Sequence, residues 1–322
     1  MHTIATAHPE YHVTVLLRKT PENFKSTYPN INIITGDYSS TDLIASAAEN
    51  ADIVVHNGDS DHEPSLNAII RGLLRRPTPG YLLHLSGTGI VSDWADEQYL
   101  GKLNPKIWSD ITSLPEIRQL PSTALHRNTE TILHDTIAKH SDKINIAIMC
   151  PPDIYGKGKG LVKTQSAFIP FFIREVKNMG GKVVYLNEGT NTRSWVHIDD
   201  LMRLYLHVVK AAASNAAPKD FFNENGYYFA STQEHSQLDV AKAAGEILHR
   251  HGVIENSEPV QISLEQLDSM ANIPGFPRLA RYLFASNSRT RAERAEKAWG
   301  YNGEAPGLLE CLEADILDAV RS

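Results

Sequence analysis

The stretch INIAIMC (144–150) is apolar at nearly every position, and GYLLHL (80–85), ADIVVHN (51–57), INIITGD (31–37) and HVTVLL (12–17) are similar. A strand solvated on one face alternates apolar and polar residues. A near-continuous apolar run is covered on both faces, the condition of a parallel sheet with helices packed above and below. Parallel neighbours cannot be joined by a tight hairpin, so helical crossovers must lie between them. The sequence supplies them: Ser40 to Glu49, Ser65 to Arg75 and Ser122 to His140 carry apolar residues at helical spacing. The reading is α/β, a Rossmann-like doubly wound parallel sheet.

After residue 160 the rhythm changes. Phe168 to Met179 reads as a helix and KVVYL (182–186) as a short strand. WVHIDDLMRLYLHVVKAA passes from a strand end into a long helix, with Asp199 and Asp200 placed to suit its macrodipole. GYYFAS (226–231) is a strand, and helical patterns follow at 237–251, 263–271, 288–298 and 307–320. The division expected is 1–155 plus 195–231 for the nucleotide-binding-type domain, and 156–194 plus 232–322 for a smaller, mostly helical lobe.

The net charge of −7, with scattered lysines and arginines, gives no reason to expect a nucleic acid or an anionic membrane as partner. No apolar run approaches the roughly eighteen residues of a membrane span. No basic and apolar leader opens the chain. A soluble cytoplasmic protein with a small-molecule substrate is expected, and a homodimer is admissible. The two cysteines, Cys150 and Cys311, lack metal-ligand spacing, so two reduced thiols and no metal site are expected.

Four stretches resemble the extended short-chain dehydrogenase/reductases, the NAD(P)-dependent epimerase/dehydratases. They are ITGDYSSTDL, HLSGTGIVSD, CPPDIYGKGKG and NTRSWVHIDDL, in the family's order. The resemblance is closest to the atypical, NmrA-like branch. It implies a dinucleotide crevice at the carboxyl ends of the strands. Arg18 and Lys19 follow the second family strand, where a base in place of an acid suits the 2′-phosphate of NADP. Asp37 would lie by the adenine, and Asn57-Gly58 against the cofactor. Pro151 and Tyr155 would line the nicotinamide side. Thr88 aligns with the catalytic hydroxyl, with Ser86 the near alternative on the substrate side. Arg193 and His197 fall where the family places substrate-facing residues.

Two departures qualify that reading. The family's Tyr-x-x-x-Lys pair is missing from PSTALHRNTETILHD, the only helix that could carry it. One register puts Ser122 at the Tyr position and His126 at the Lys position; another puts His126 at Tyr and Glu130 at Lys. His126 is the substitute that titrates near neutrality, and so the candidate acid/base. Tyr99 and Tyr155 are weaker replacements for the phenol. Second, a strand and a G-x-G-x-x-G loop should precede HVTVLL, yet Met1 to Glu10 are too short for them and contain no glycine. The first strand reads as missing. The expectation is an incomplete version of a normal protein, in preference to a short form that has lost dinucleotide binding. The function expected is an NADP-preferring oxidoreductase or epimerase on a small carbonyl or alcohol. The alternatives are a non-redox regulatory or binding protein and a cofactor-independent isomerase or cyclase on the same scaffold.

Overall fold

A computed structural model describes residues 1–215 and 217–321. Strands β1 (Thr14–Leu17) and β2 (Asn32–Thr35) pair in parallel as a two-stranded sheet. Strands β3 (Ile53–His56), β4 (Gly80–Leu85), β5 (Ile144–Cys150) and β6 (Tyr227–Phe229) form a parallel four-stranded sheet in the order β6-β5-β4-β3. Among the described residues no ladder joins the two sheets. The apolar runs behave accordingly. Leu82 and Leu83 of β4 and Ile148 and Met149 of β5, with a strand on either side, are buried. Ile53, Val54 and Val55 of β3 and Val15, Leu16 and Leu17 of β1, with a partner on one side, are half-buried.

Helices Thr41–Glu49, Glu63–Leu74 and Arg127–His140 pack side by side, and the last two cover β5. The Glu63–Leu74 helix starts with Pro64 in its first turn and with the His62 imidazole accepting from Ser65 N, two devices that satisfy orphan amides. The Ile198–Ser214 helix is capped the same way, by His197, and packs on β3 and on the His2–Ala7 helix.

A second core lies in the C-terminal lobe. Phe168, Phe172, Trp195 and Phe284 meet there edge to face, with Leu308, Leu312 and Ile316 of the last helix sealing them. Strand Thr192–His197 joins the lobes, pairing with Asp153–Tyr155 and with Gln233–Ser236. No helix among the described residues is long and apolar enough to cross a membrane.

Two helical expectations are corrected. The segment 288–298 is a strand, Thr290–Arg291, followed by a helix, Glu293–Trp299. Its first residues are claimed by tertiary partners: Thr290–Arg291 pairs with Trp108–Ser109, and Ser288 Oγ donates to Thr88 O at 2.8 Å. The Ser122–His140 helix begins only at Arg127. Residues 121–126 form turns, and His126 has φ 63°, a left-handed conformation that ends any helical register.

Candidate active site

The carboxyl ends of β3 and β4 set the site. Their register places His56 beside His84, and the two Nδ1 atoms lie 3.0 Å apart. His84 Nε2 donates to the Ser60 carbonyl at 3.2 Å, so its Nδ1 accepts from His56. Thr129 Oγ1 donates to the same carbonyl at 2.8 Å. The Asn57–His62 loop is thereby tied to the sheet and to the Arg127–His140 helix.

That loop presents Asp61 to His126, with Oδ1 2.9 Å from Nδ1 and Ser60 Oγ 3.2 Å from the same nitrogen. Burial raises the Asp61 carboxyl, but the hydrogen bond and charge of His126 outweigh it and hold the group below its usual value. An ionised carboxylate on Nδ1 fixes the tautomer and leaves Nε2 for chemistry.

Nε2 faces the Gly87-Thr88-Gly89 turn that follows β4. A β-carbon on Gly87 would lie 3.0 Å from it, and one on Gly89 3.3 Å. Only glycines on both sides of Thr88 let the imidazole come this close. The left-handed backbone at His126 turns the ring into the crevice, a strained conformation of the kind that clusters at functional sites.

Thr88 is held from both sides by its backbone. Its N–H donates to Pro151 O at 3.0 Å, and its carbonyl accepts from Ser288. Its hydroxyl makes no hydrogen bond among the described residues. The C-terminal lobe fixes the loop beyond it through Asn287, whose N–H and Nδ2 donate to Asp93 at 2.6 and 3.0 Å.

The structure brings Thr88, His126 and Pro151 together and disperses other candidates. Ser86 Oγ turns away to Glu130, 2.5 Å distant and fully buried. Tyr227 donates to the same carboxylate at 3.1 Å. Ser122 is exposed on a turn rather than on the helix. Tyr155 lies in the second core and donates to Pro306 O. His197 serves as a helix cap. Arg193 is 3% exposed and fully engaged: Nε to Asp153 Oδ2 at 2.5 Å, Nη2 to Oδ1 at 3.2 Å, and Nη1 to Tyr282 O and Ser286 Oγ, each at 2.8 Å.

Asp61 escaped the sequence reading. The Asp-Ser-Asp run after a strand gave it a signal, since a histidine acting as acid/base needs a carboxylate partner. Tyr282 reads in the sequence only as one of the C-terminal aromatics that suit a hydrophobic pocket or core packing equally, because it reaches the site from a single π-helical turn, Arg281–Ala285, nearly two hundred residues after Gly89. A Gly89 β-carbon would lie 3.0 Å from its Oη, so Tyr282 Oη and His126 Nε2 converge on one point.

The residues expected to hold a dinucleotide fall into different surroundings. Arg18, Lys19, Asn57 and Gly58 line the strand ends and are exposed. Asp37 is occupied by its own turn, accepting from Ser39 N at 2.9 Å and from Ser39 Oγ at 2.5 Å. Tyr38 Oη lies directly on Gly58, where a β-carbon would be 1.4 Å away. The Gly87–Gly89 turn leaves two backbone positions without side chains, and Thr88 N–H donates to Pro151 O beside it.

The buried histidine pair carries a pH signature. Burial lowers His56 to about 4, and burial reinforced by His56 lowers His84 to about 3. Both are neutral in the fold and basic when unfolded, so the stability they contribute is present above about pH 6.5. It is lost as pH falls toward 4. Asp59 and Asp61 oppose the shifts without reversing them. Each histidine should cost about 1–2 kcal/mol by pH 5. Urea midpoints at pH 7 and pH 5 measure the loss, and His84→Asn should flatten it. An equal loss in that variant would acquit the pair.

The chain is similar to known proteins. Residues 126–222 match the NAD dependent epimerase/dehydratase family. Oxidase ucsJ of Acremonium sp. is 28% identical over 329 residues, covering 98% of this chain and 92% of that protein. A dTDP-glucose 4,6-dehydratase from Streptomyces venezuelae, solved with NAD and TYD bound, superposes with a TM-score of 0.62 at 16% identity, over 99% of this chain and 92% of that one. A UDP-glucuronic acid 4-epimerase from Bacillus cereus, in complex with UDP-glucuronic acid and NAD, gives 0.61 at 16% identity, over 99% and 95%. At such identities the likeness shows the fold.

Proposed function

For a chain with the extended short-chain dehydrogenase/reductase fold, whose residues 126–222 match the NAD dependent epimerase/dehydratase family, we propose an oxidoreductase or epimerase acting at the oxygen-bearing carbon of a small carbonyl or alcohol. The observation that carries this is the Asp61–His126 pair with its second nitrogen turned onto Gly87 and Gly89, the two residues that flank Thr88. Thr88 donates a hydrogen bond to the substrate oxygen. His126 Nε2 delivers or receives the proton at that oxygen, replacing the absent Tyr-x-x-x-Lys pair. Asp61 holds the imidazole in the needed tautomer and stabilises its protonated form. A nicotinamide nucleotide, when bound, supplies hydride acceptance and return. Arg18, Gly58, the Gly87–Gly89 turn and Pro151 are the residues that would hold it, with Arg18 favouring a 2′-phosphate.

Titration of the folded protein with NADPH and NADH, read by fluorescence or calorimetry, tests this. NADPH should bind more tightly, and Arg18→Glu should narrow or invert the preference. A folded protein that binds neither nucleotide at millimolar concentration would remove the redox reading for this chain. One observation then favours isomerisation by acid–base chemistry alone: Tyr38 covers the Gly58 backbone with its hydroxyl.

A further inference from the structure

The C-terminal lobe builds a row of aromatic rings outward from Gly89. Tyr282 Oη starts it. The Phe276 ring centroid lies 5.9 Å from that of Tyr282, and Trp94 lies 5.6 Å beyond Phe276. All three side chains are half-buried. The row is anchored at both ends. Asp93, beside Trp94, accepts hydrogen bonds from Asn287 and Asn104. Tyr282 is gripped through its carbonyl by Arg193, whose guanidinium carbon also sits 4.6 Å from the ring centroid.

Charge around the row argues against an anion. Arg193 is committed to Asp153. Arg281 is committed to Asp268 at 2.5 Å and to Glu97 at 2.7 Å. Arg278 leans on Asp268 at 4.0 Å. Among the described residues these three arginines beside the rings each have an acidic partner. A diphosphate would meet arginines already neutralised. Burial raises the Tyr282 phenol above its ordinary value, so it is a protonated donor at neutral pH.

We propose that this shelf is the substrate site, and that it takes an uncharged, flat, apolar carbonyl compound rather than a nucleotide sugar. Its rings stack on Trp94 and Phe276, and its carbonyl oxygen accepts from Tyr282 Oη beside Thr88. The proposal rests on the reading of Thr88 and His126 as the reactive end of the crevice, and it names what that end acts on.

The test is equilibrium binding of 2-acetonaphthone and of UDP-glucose, by calorimetry, without nucleotide. The absence of nucleotide keeps the result independent of the NADPH titration. The ketone should bind and UDP-glucose should not. Trp94→Ala should weaken the ketone about tenfold through lost stacking. Tyr282→Phe keeps the ring and its place over Arg193, and should weaken it about three- to tenfold through the lost hydrogen bond. Circular dichroism of both variants checks that the fold is intact. Binding of UDP-glucose, absence of ketone binding, or ketone binding indifferent to both substitutions would each overturn the proposal.

Discussion

His126→Ala should lower turnover by about a hundred- to ten-thousand-fold, the range expected when a positioned acid/base is removed. Steady-state kinetics on any carbonyl substrate the protein turns over provides the measurement. The loss should fall on kcat, with KM little changed, because the imidazole holds the reacting proton and not the bulk of the substrate. Folding should survive. The His126 ring is partly exposed, so its removal opens no buried cavity. Asp61→Asn should follow the same direction with a smaller loss, since Ser60 Oγ also touches Nδ1. Unchanged kcat in His126→Ala would place the proton chemistry elsewhere, with the Tyr282 phenol, whose Oη lies by Gly89, as the next donor to test.

Arg193→Ala should cost about 3–5 kcal/mol of stability, the penalty of leaving a buried partner charge alone. Arg193 makes both oxygens of Asp153 part of one fork and at the same time bonds the Tyr282 carbonyl and Ser286. Its removal strands the Asp153 carboxylate and frees the turn that carries Tyr282. Chemical denaturation of the single variant measures the loss. The double variant Arg193→Met, Asp153→Leu should recover much of it, because it removes both charges while keeping volume. A single variant as stable as the parent would mean that water replaces the guanidinium. The prediction also reverses the expectation that Arg193 faces the substrate: its position along the strand was legible, but the acid that occupies it was not.

The sequence determined the α/β architecture by itself. Apolar runs without alternation can be satisfied only by strands covered on both faces, and INIAIMC (144–150) became β5 residue for residue. It also determined which strand ends would matter, since ligands of such sheets gather at their carboxyl ends. Thr88 and Pro151 came from the family resemblance, and His126 from being the one group titrating near neutrality on the helix that lacks Tyr-x-x-x-Lys. Side-chain direction was decided by the tertiary structure. Ser86 and Thr88 sit two residues apart and both are buried, yet the Ser86 hydroxyl is drawn to Glu130 while Thr88 is held through its backbone by Pro151 and Ser288. The start of the Arg127–His140 helix was decided the same way. The segment 122–126 has helical character taken alone, and the left-handed turn at His126 exists because Asp61 and the two glycines around Thr88 receive its ring. Asp61 and Tyr282 reach the site across 65 and 193 residues of sequence separation from His126 and Gly89, respectively (126 − 61 and 282 − 89). Local pattern reports which face of a strand or helix is apolar; it holds no record of which distant loop will close over that face, because that choice is made by packing and hydrogen-bond satisfaction in the assembled fold.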